Sequence, residues 1–288
     1  MLAQSNVVPQ IPLADWTNTA VDWITDTFEW FFGPLEDIIV VAVGTLETVF
    51  TALPALLMVA LLAAIAFLLA GWRIGLFTLV GLVFVISLGL WEPAMETLAL
   101  VLVAASIALT IGIPIGIIAA KSRGVEAFMR PVLDIAQTMP AFVYLVPIVA
   151  LLGIDEPPAL IATVIFAMPP AVRLTMLGIQ QVPKDTVEAA HAFGATPRQT
   201  LFKVELPLSL RSIMAGVNQV IMLSLSMVVI AALVGAGGLG EPVVTGLGQL
   251  DTGKAFVGGV GIVVLAIILD RVTRGLERGR GVAAKKIV

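Results

Sequence analysis

Seven apolar stretches, near residues 53–70, 74–91, 96–120, 139–153, 158–178, 211–235 and 255–272, restrict this chain to one kind of surroundings. Most are long enough to cross a hydrocarbon core of about 30 Å at a helical rise of about 1.5 Å per residue. In that medium a spanning segment must satisfy its own backbone hydrogen bonds, which apolar runs of this length do as helices. The sequence therefore predicts an all-α integral membrane protein with about seven spans. The shortest stretch, 139–153, carries Pro140 and Pro147, which predicts a tilted or broken helix. Composition agrees, since only 12% of the residues are charged against about 25% in soluble domains. Cysteine is absent, which excludes a disulfide framework, a thiolate metal site and a cysteine nucleophile. No polar interval is long enough for a separate soluble domain.

The basic residues are placed unevenly. None precedes Arg73; then they cluster as Lys121, Arg123 and Arg130, as Lys184, Arg198, Lys203 and Arg211, and from Arg271 to Lys286. The positive-inside rule assigns the three clusters to the cytoplasm. Threading the spans between them leaves Asp155, Glu156, the glycine-rich segment near 235–253 and the N-terminus outside. Residues 1–52 are expected to form an amphipathic, interfacial helical region. Trp16, Ala20, Trp23, Ile24, Phe28 and Phe31 recur at helical spacing, with Asp15, Asp22, Asp26 and Glu29 largely between them. Residues 35–52 hold Glu36, Asp37 and Glu47 and are expected to form a second surface helix, with an eighth span as the alternative. A basic n-region is missing, so a signal peptide is not expected. The membrane domain then covers 53–275, and 276–288 form a cytoplasmic tail.

The most polar internal stretch, EAAHAFGATPRQTLFKVELP at 188–207, has its own architecture. Thr186 is expected to cap a helix over Val187–Phe193, and Gly194 to take the left-handed position that ends it. Thr196, Pro197 and Gln199 supply the N-cap, N1 and N3 residues of a following helix, which should stop near Leu206-Pro207. Glu188 and His191 lie one turn apart on the first helix, and Ala189 and Ala190 keep its surface thin. An ordinary amphipathic cytoplasmic loop is the plain alternative.

Glu188, Ala189, Ala190, Gly194, Val204, Leu206 and Pro207 match the coupling-loop signature of ABC importer permeases at every spacing, with Val in place of the usual Ile. Residues 137–154, 164–183 and 222–244 also resemble the permease subunits of glycine betaine/proline betaine (quaternary ammonium compound) importers, and the likeness extends over roughly residues 10–275. The resemblance implies the membrane domain of a type I ABC importer in the cell (cytoplasmic) membrane. Its coupling loop, 184–207, would engage an ATPase through Glu188, Ala189, Ala190, His191, Gly194, Leu206 and Pro207. The implied partners are a second permease copy, two cytoplasmic ABC ATPases and a separate extracellular or periplasmic binding protein. ATP and Mg would bind the ATPase, no cofactor would bind this chain, and nucleic acid has no part. Osmoprotection is the expected physiological role.

Within the membrane, a charge deep in a span would point to an ion relay, but Arg173, Arg211 and Asp270 fall near span ends, where snorkelling or pairing accounts for them. Neutral and soft groups are the translocation-path candidates: Gln137, Thr138, Met139 and Tyr144 near the 139–153 stretch, and Asn218, Met222 and Ser226 on the 211–235 stretch. Each taken singly has helix packing as its plainer role. Gly235, Gly237, Gly238 and Gly240 match a dinucleotide-binding string but follow a membrane span, so an external turn or re-entrant gate is expected. Gly248 to Lys254 has phosphate-loop spacing, with Ala255 where a hydroxyl belongs. No nucleophile, acid–base pair or metal constellation supports an enzyme. Outside the ABC reading, a secondary carrier built on helices broken at Pro140, Pro147, Pro169 and Pro170 is the competitor. Within it, choline, carnitine or another small solute competes as the cargo.

Overall fold

The structure, a computed structural model, describes residues 12–285, and among them every regular element is helical. Helix α1 (Leu13–Thr51) meets α2 (Ala55–Ala70) at a 103° bend, where Pro54 stands as the N-cap of α2. Gly71, at φ +93°, turns the chain into α3 (Trp72–Ser87), which packs back on α2. Helix α4 (Trp91–Lys121) follows. Next come α5 (Arg123–Thr138) and α6 (Ala141–Leu152), bent by 98° where Pro140 interrupts the helix. Helices α7 (Glu156–Ala167) and α8 (Pro169–Gln180) together form a 25-residue candidate span. Pro169 and Pro170 occupy the first turn of α8, where a missing N–H costs little.

The polar stretch forms α9 (Lys184–Ala192), α10 (Pro197–Thr200) and a π-helical turn at Leu201–Glu205. It leads directly into α11 (Leu206–Ala232). After a glycine turn, α12 (Gly240–Gly248) packs on α13 (Thr252–Lys285). All seven apolar stretches are thus helical. Among the described residues four helices are long and apolar enough to cross a membrane, or up to six if each bent pair counts as one span. The α3 helix, at 16 residues, is a shorter apolar helix. Helix α13 continues past 275, so residues 276–285 extend the last helix; residues 1–11 and 286–288 lie outside those described.

Helices α4, α8 and α11 pack closely through small residues. A Cβ on Gly116 of α4 would sit 2.6 Å from the carbonyl oxygen of Val172 and 2.7 Å from Cβ of Thr175, both on α8. One turn earlier, a Cβ on Gly112 would sit 2.9 Å from Cβ of Ala171. On the other side of α8, a Cβ on Gly178 would meet Cβ of Ser212 on α11 at 2.7 Å. Small residues at these positions bring backbones together, the usual basis of helix association where lipid removes the hydrophobic drive. Helices α2 and α3, in contrast, expose Leu56, Leu57, Leu61, Phe67, Leu68 and Val80, as lipid-facing helices do.

The expectation of a second surface helix at 35–52 is corrected. Residues 13–51 are one helix, with a local departure from helical geometry at Phe28. Its first half does expose Trp16, Trp23 and Trp30. Its second half sends Ile39, Val43 and Phe50 into the core and packs against α4, α6 and α7. Those three residues recur at i, i+4 and i+11, a helical face; Glu36 and Glu47 stand half-buried at its edge, and Asp37 is exposed.

Candidate functional site

The loop at 184–205 is an exposed helix–turn–helix. Pro183, not Thr186, precedes its first helix, and Thr186 lies inside α9 with no capping role. Pro fixes its own φ near the helical value and the chain turns inward from there. At the other end, Gly194 N–H donates to the His191 carbonyl at 2.9 Å and Ala195 N–H to the Ala190 carbonyl at 3.0 Å, with Gly194 at φ +80°. That pair of bonds is the Schellman closure, and it depends on a residue that tolerates left-handed backbone. Phe193 at this corner is 93% exposed. The next helix opens with a complete capping box: Gln199 N–H donates to Thr196 Oγ1 at 3.3 Å, and Thr196 N–H to Gln199 Oε1 at 2.9 Å.

The second helix does not stop at Leu206-Pro207. Leu206 N–H donates to the Leu201 carbonyl, five residues back, and the helix continues as α11. A proline inside a regular helix would clash with the carbonyl four residues earlier. The wider π turn relieves that clash just before Pro207 and keeps the run continuous. Glu188, Ala189, His191, Gly194 and Pro207 are exposed, and Ala190 and Leu206 are half-buried.

The path candidates divide. Gln137, Thr138, Met222 and Ser226 are exposed, and Met139 is half-buried. Met222 and Ser226 share one face of α11 with exposed Gln219, and the Ser226 hydroxyl donates to the Met222 carbonyl at 2.9 Å. Tyr144 stands apart from these: it is buried, and its hydroxyl donates to the Ala136 carbonyl across the α5–α6 bend. Its position is that of a brace for the broken helix. Asn218 is half-buried, with Oδ1 enclosed and lacking a hydrogen-bond partner among the described residues. Of the three charges near span ends, Arg173 pairs with Asp134 of α5, and Asp270 pairs with Arg274 at 2.8 Å.

The glycine segment after α11 is an inlaid turn, not a slack one. Gly235, Gly237 and Gly238 have φ of +88°, +65° and +69°. Gly238 N–H donates to Glu96 Oε2 and Leu239 N–H to Thr97 Oγ1, each at 2.8 Å. Gly240 already belongs to α12, and a Cβ there would lie 2.5 Å from the Val228 carbonyl oxygen. The string joins two helices, so the strand context of a dinucleotide site is missing there. Glu47 of α1 and Glu156 of α7 lie near enough to Glu96 to interact electrostatically.

Sequence reasoning missed the partners of both turns. Glu205, 5% exposed, forms an ion pair with Lys121 at the end of α4. Beside this pair a cleft of about 250 Å³ is lined by Lys121, Gln180, Lys184, Val187, Glu188 and Glu205. A lone acid between Val204 and Leu206 in an apolar context was the available signal for Glu205. Its partner, 84 residues away, had none.

Comparison with known proteins shows the family of the chain. The model of the family described as "Binding-protein-dependent transport system inner membrane component" matches residues 112–282. The glycine betaine/proline betaine transport system permease protein ProW of Escherichia coli is 49% identical over 268 residues, covering 93% of this chain and 76% of its own length. The glycine betaine/carnitine transport permease protein GbuB of Listeria monocytogenes is 48% identical over 275 residues, covering 94% of this chain and 97% of its own. A solved inward-facing structure of the methionine ABC transporter MetNI superposes with a TM-score of 0.55 at 25% identity, over 65% of this chain and 95% of the matched chain.

Proposed function

This chain belongs to the family of binding-protein-dependent transport system inner membrane components, and on that footing we propose that it is the permease of an ATP-driven importer for glycine betaine and related quaternary ammonium solutes. The observation that carries the coupling role is the exposed corner at Phe193 and Gly194, held in one shape by a Schellman closure and a capping box. A projecting, pre-shaped element of this kind suits insertion into a groove on a soluble ATPase, because little ordering entropy remains to be lost on docking. Glu188, Ala189, Ala190, His191 and Gly194 form the inserted surface, and Leu206 and Pro207 join it to α11. ATP and Mg bind the ATPase partner, whose closure displaces α9.

A second copy of this chain completes the path. The exposed face of α11 bearing Gln219, Met222 and Ser226 supplies neutral polar and soft groups. They suit a zwitterion with a bulky cationic head, since a fixed opposite charge in a low-dielectric path would hold the cargo too tightly to release. Selection of the cargo falls to a separate binding protein, where an aromatic cage would recognise the quaternary ammonium. Accumulation of such solutes protects cells in concentrated media.

Relatives whose names include both glycine betaine and carnitine make carnitine the competing cargo. The test is ATP-dependent uptake of labelled glycine betaine into proteoliposomes holding this chain, its ATPase and its binding protein, with carnitine and choline as competitors. Uptake that requires ATP and is lost when α9 is disrupted supports the reading. Assembly and hydrolysis without betaine uptake would reject the cargo, and ATP-independent uptake by this chain alone would restore the carrier alternative. Uptake assayed at low and high osmolarity tests the osmoprotective role.

A further inference from the structure

We infer that α4 and α11 are braced to each other at both ends, so that the pair carries displacement of the coupling loop to the outer glycine turn as one body. Lys121 and Glu205 are the positioning residues of the coupling end. Glu205 immediately precedes α11 and Lys121 closes α4, and their ion pair joins the two. At the far end, Glu96 and Thr97 in the second turn of α4 accept the N–H groups of Gly238 and Leu239, just beyond α11. The two braces are about 37 Å apart along α4, from 25 residues at about 1.5 Å each.

The span between the braces is one helix. Pro114 removes one hydrogen bond from α4, yet the helix is continuous through it. Gly112 and Gly116, on either side, lie against the backbone and side chains of α8, which supports α4 where the proline weakens it. At the coupling end, packing between α4 and the segment 184–205 is sparse, and a cleft opens beside the pair toward Glu188. The Lys121–Glu205 bond is therefore a direct side-chain tie between α4 and the loop, added to the packing of α4 on α11. Because Glu205 is buried and Lys121 half-exposed, the carboxylate has little water to turn to if the bond is broken, so removing its partner is costly at this end of the pair.

The inference rests on the importer reading, and one experiment separates the two. The chain has no cysteine, so Glu241→Cys, exposed on α12, provides a single reporter beyond the glycine turn. The assembled importer, with its ATPase and binding protein, is reconstituted, and maleimide labelling of this chain is followed with and without ATP and vanadate. Uptake and ATP hydrolysis are measured in parallel. With the native pair, labelling should respond to nucleotide. Lys121→Gln and Glu205→Gln should each lower uptake per ATP hydrolysed by about fivefold or more, the lower end of ordinary coupling between sites, and remove the labelling response while hydrolysis continues. The double variant Lys121→Glu/Glu205→Lys should restore both. If Glu205→Gln fails to assemble, Lys121→Gln at the exposed helix end decides alone. Single variants that keep the labelling response and the uptake ratio overturn the brace, as does a loss that the charge swap leaves unrepaired. Absence of ATP-dependent uptake with the native pair overturns the importer reading, and the brace with it.

Discussion

Gly194 and Gly238 adopt the same left-handed backbone in two turns separated by α11, yet they are needed for different reasons. Gly194 has φ +80°, and a Cβ placed there meets nothing within 4 Å. Gly238 has φ +69°, and its Cβ would sit 2.5 Å from Thr97 Oγ1. The first glycine answers only a conformational demand, and the surface around it is open. The second answers that demand and a packing one, because the turn is set into α4. The first turn stays uncovered, as the proposed docking to an ATPase requires; the second is bonded into its own bundle, as the inferred brace requires.

Substitutions can break that contrast. Gly238→Ala should cost most: about 1–3 kcal/mol for overpacking and a further roughly 1–2 kcal/mol for left-handed backbone, read as a large fall in the thermal midpoint in detergent. Thr97→Val should come next, at about 1–3 kcal/mol, since the buried Leu239 N–H then lacks an acceptor. An unchanged midpoint would mean that the turn is not held by α4. Gly194→Ala should cost roughly 1–2 kcal/mol, all of it local strain. Its main effect should appear in copurification of the ATPase while the fold persists, and normal ATPase recovery with normal uptake would remove the functional half of the comparison. Smallest is Thr196→Ala, at about 1 kcal/mol or less for a lost N-cap. Faster proteolysis between Phe193 and Arg198, with an unchanged midpoint, is the expected signature.

Features readable along the chain were legible before the fold was known. Apolar length identified seven helical stretches, and Gly194 and the Thr196–Gln199 box announced themselves because caps depend on residues a few positions apart. The errors came where a distant contact overrode a local sign. Glu36, Asp37 and Glu47 argued for a surface helix, while the face of Ile39, Val43 and Phe50 shows its meaning only against α4 and α7. Pro207 read as a stop, but one π turn lets the helix absorb it. The partner of Tyr144, the Ala136 carbonyl across the α5–α6 bend, was likewise invisible along the chain. The Lys121–Glu205 pair joins two charges that nothing in either neighbourhood connects.

The contact at Gly116 bears on how such a chain can change over time. Next to Gly112 the obstructing atoms are side-chain atoms of Ala171 and Met168, so a larger residue at 112 could follow a smaller one across the interface. At Gly116 the nearest obstruction is the carbonyl oxygen of Val172, an atom that every amino acid at 172 would also bring. No single replacement in α8 can open that space. Position 112 can drift in company with its neighbours, whereas position 116 has no partner whose mutation would release it.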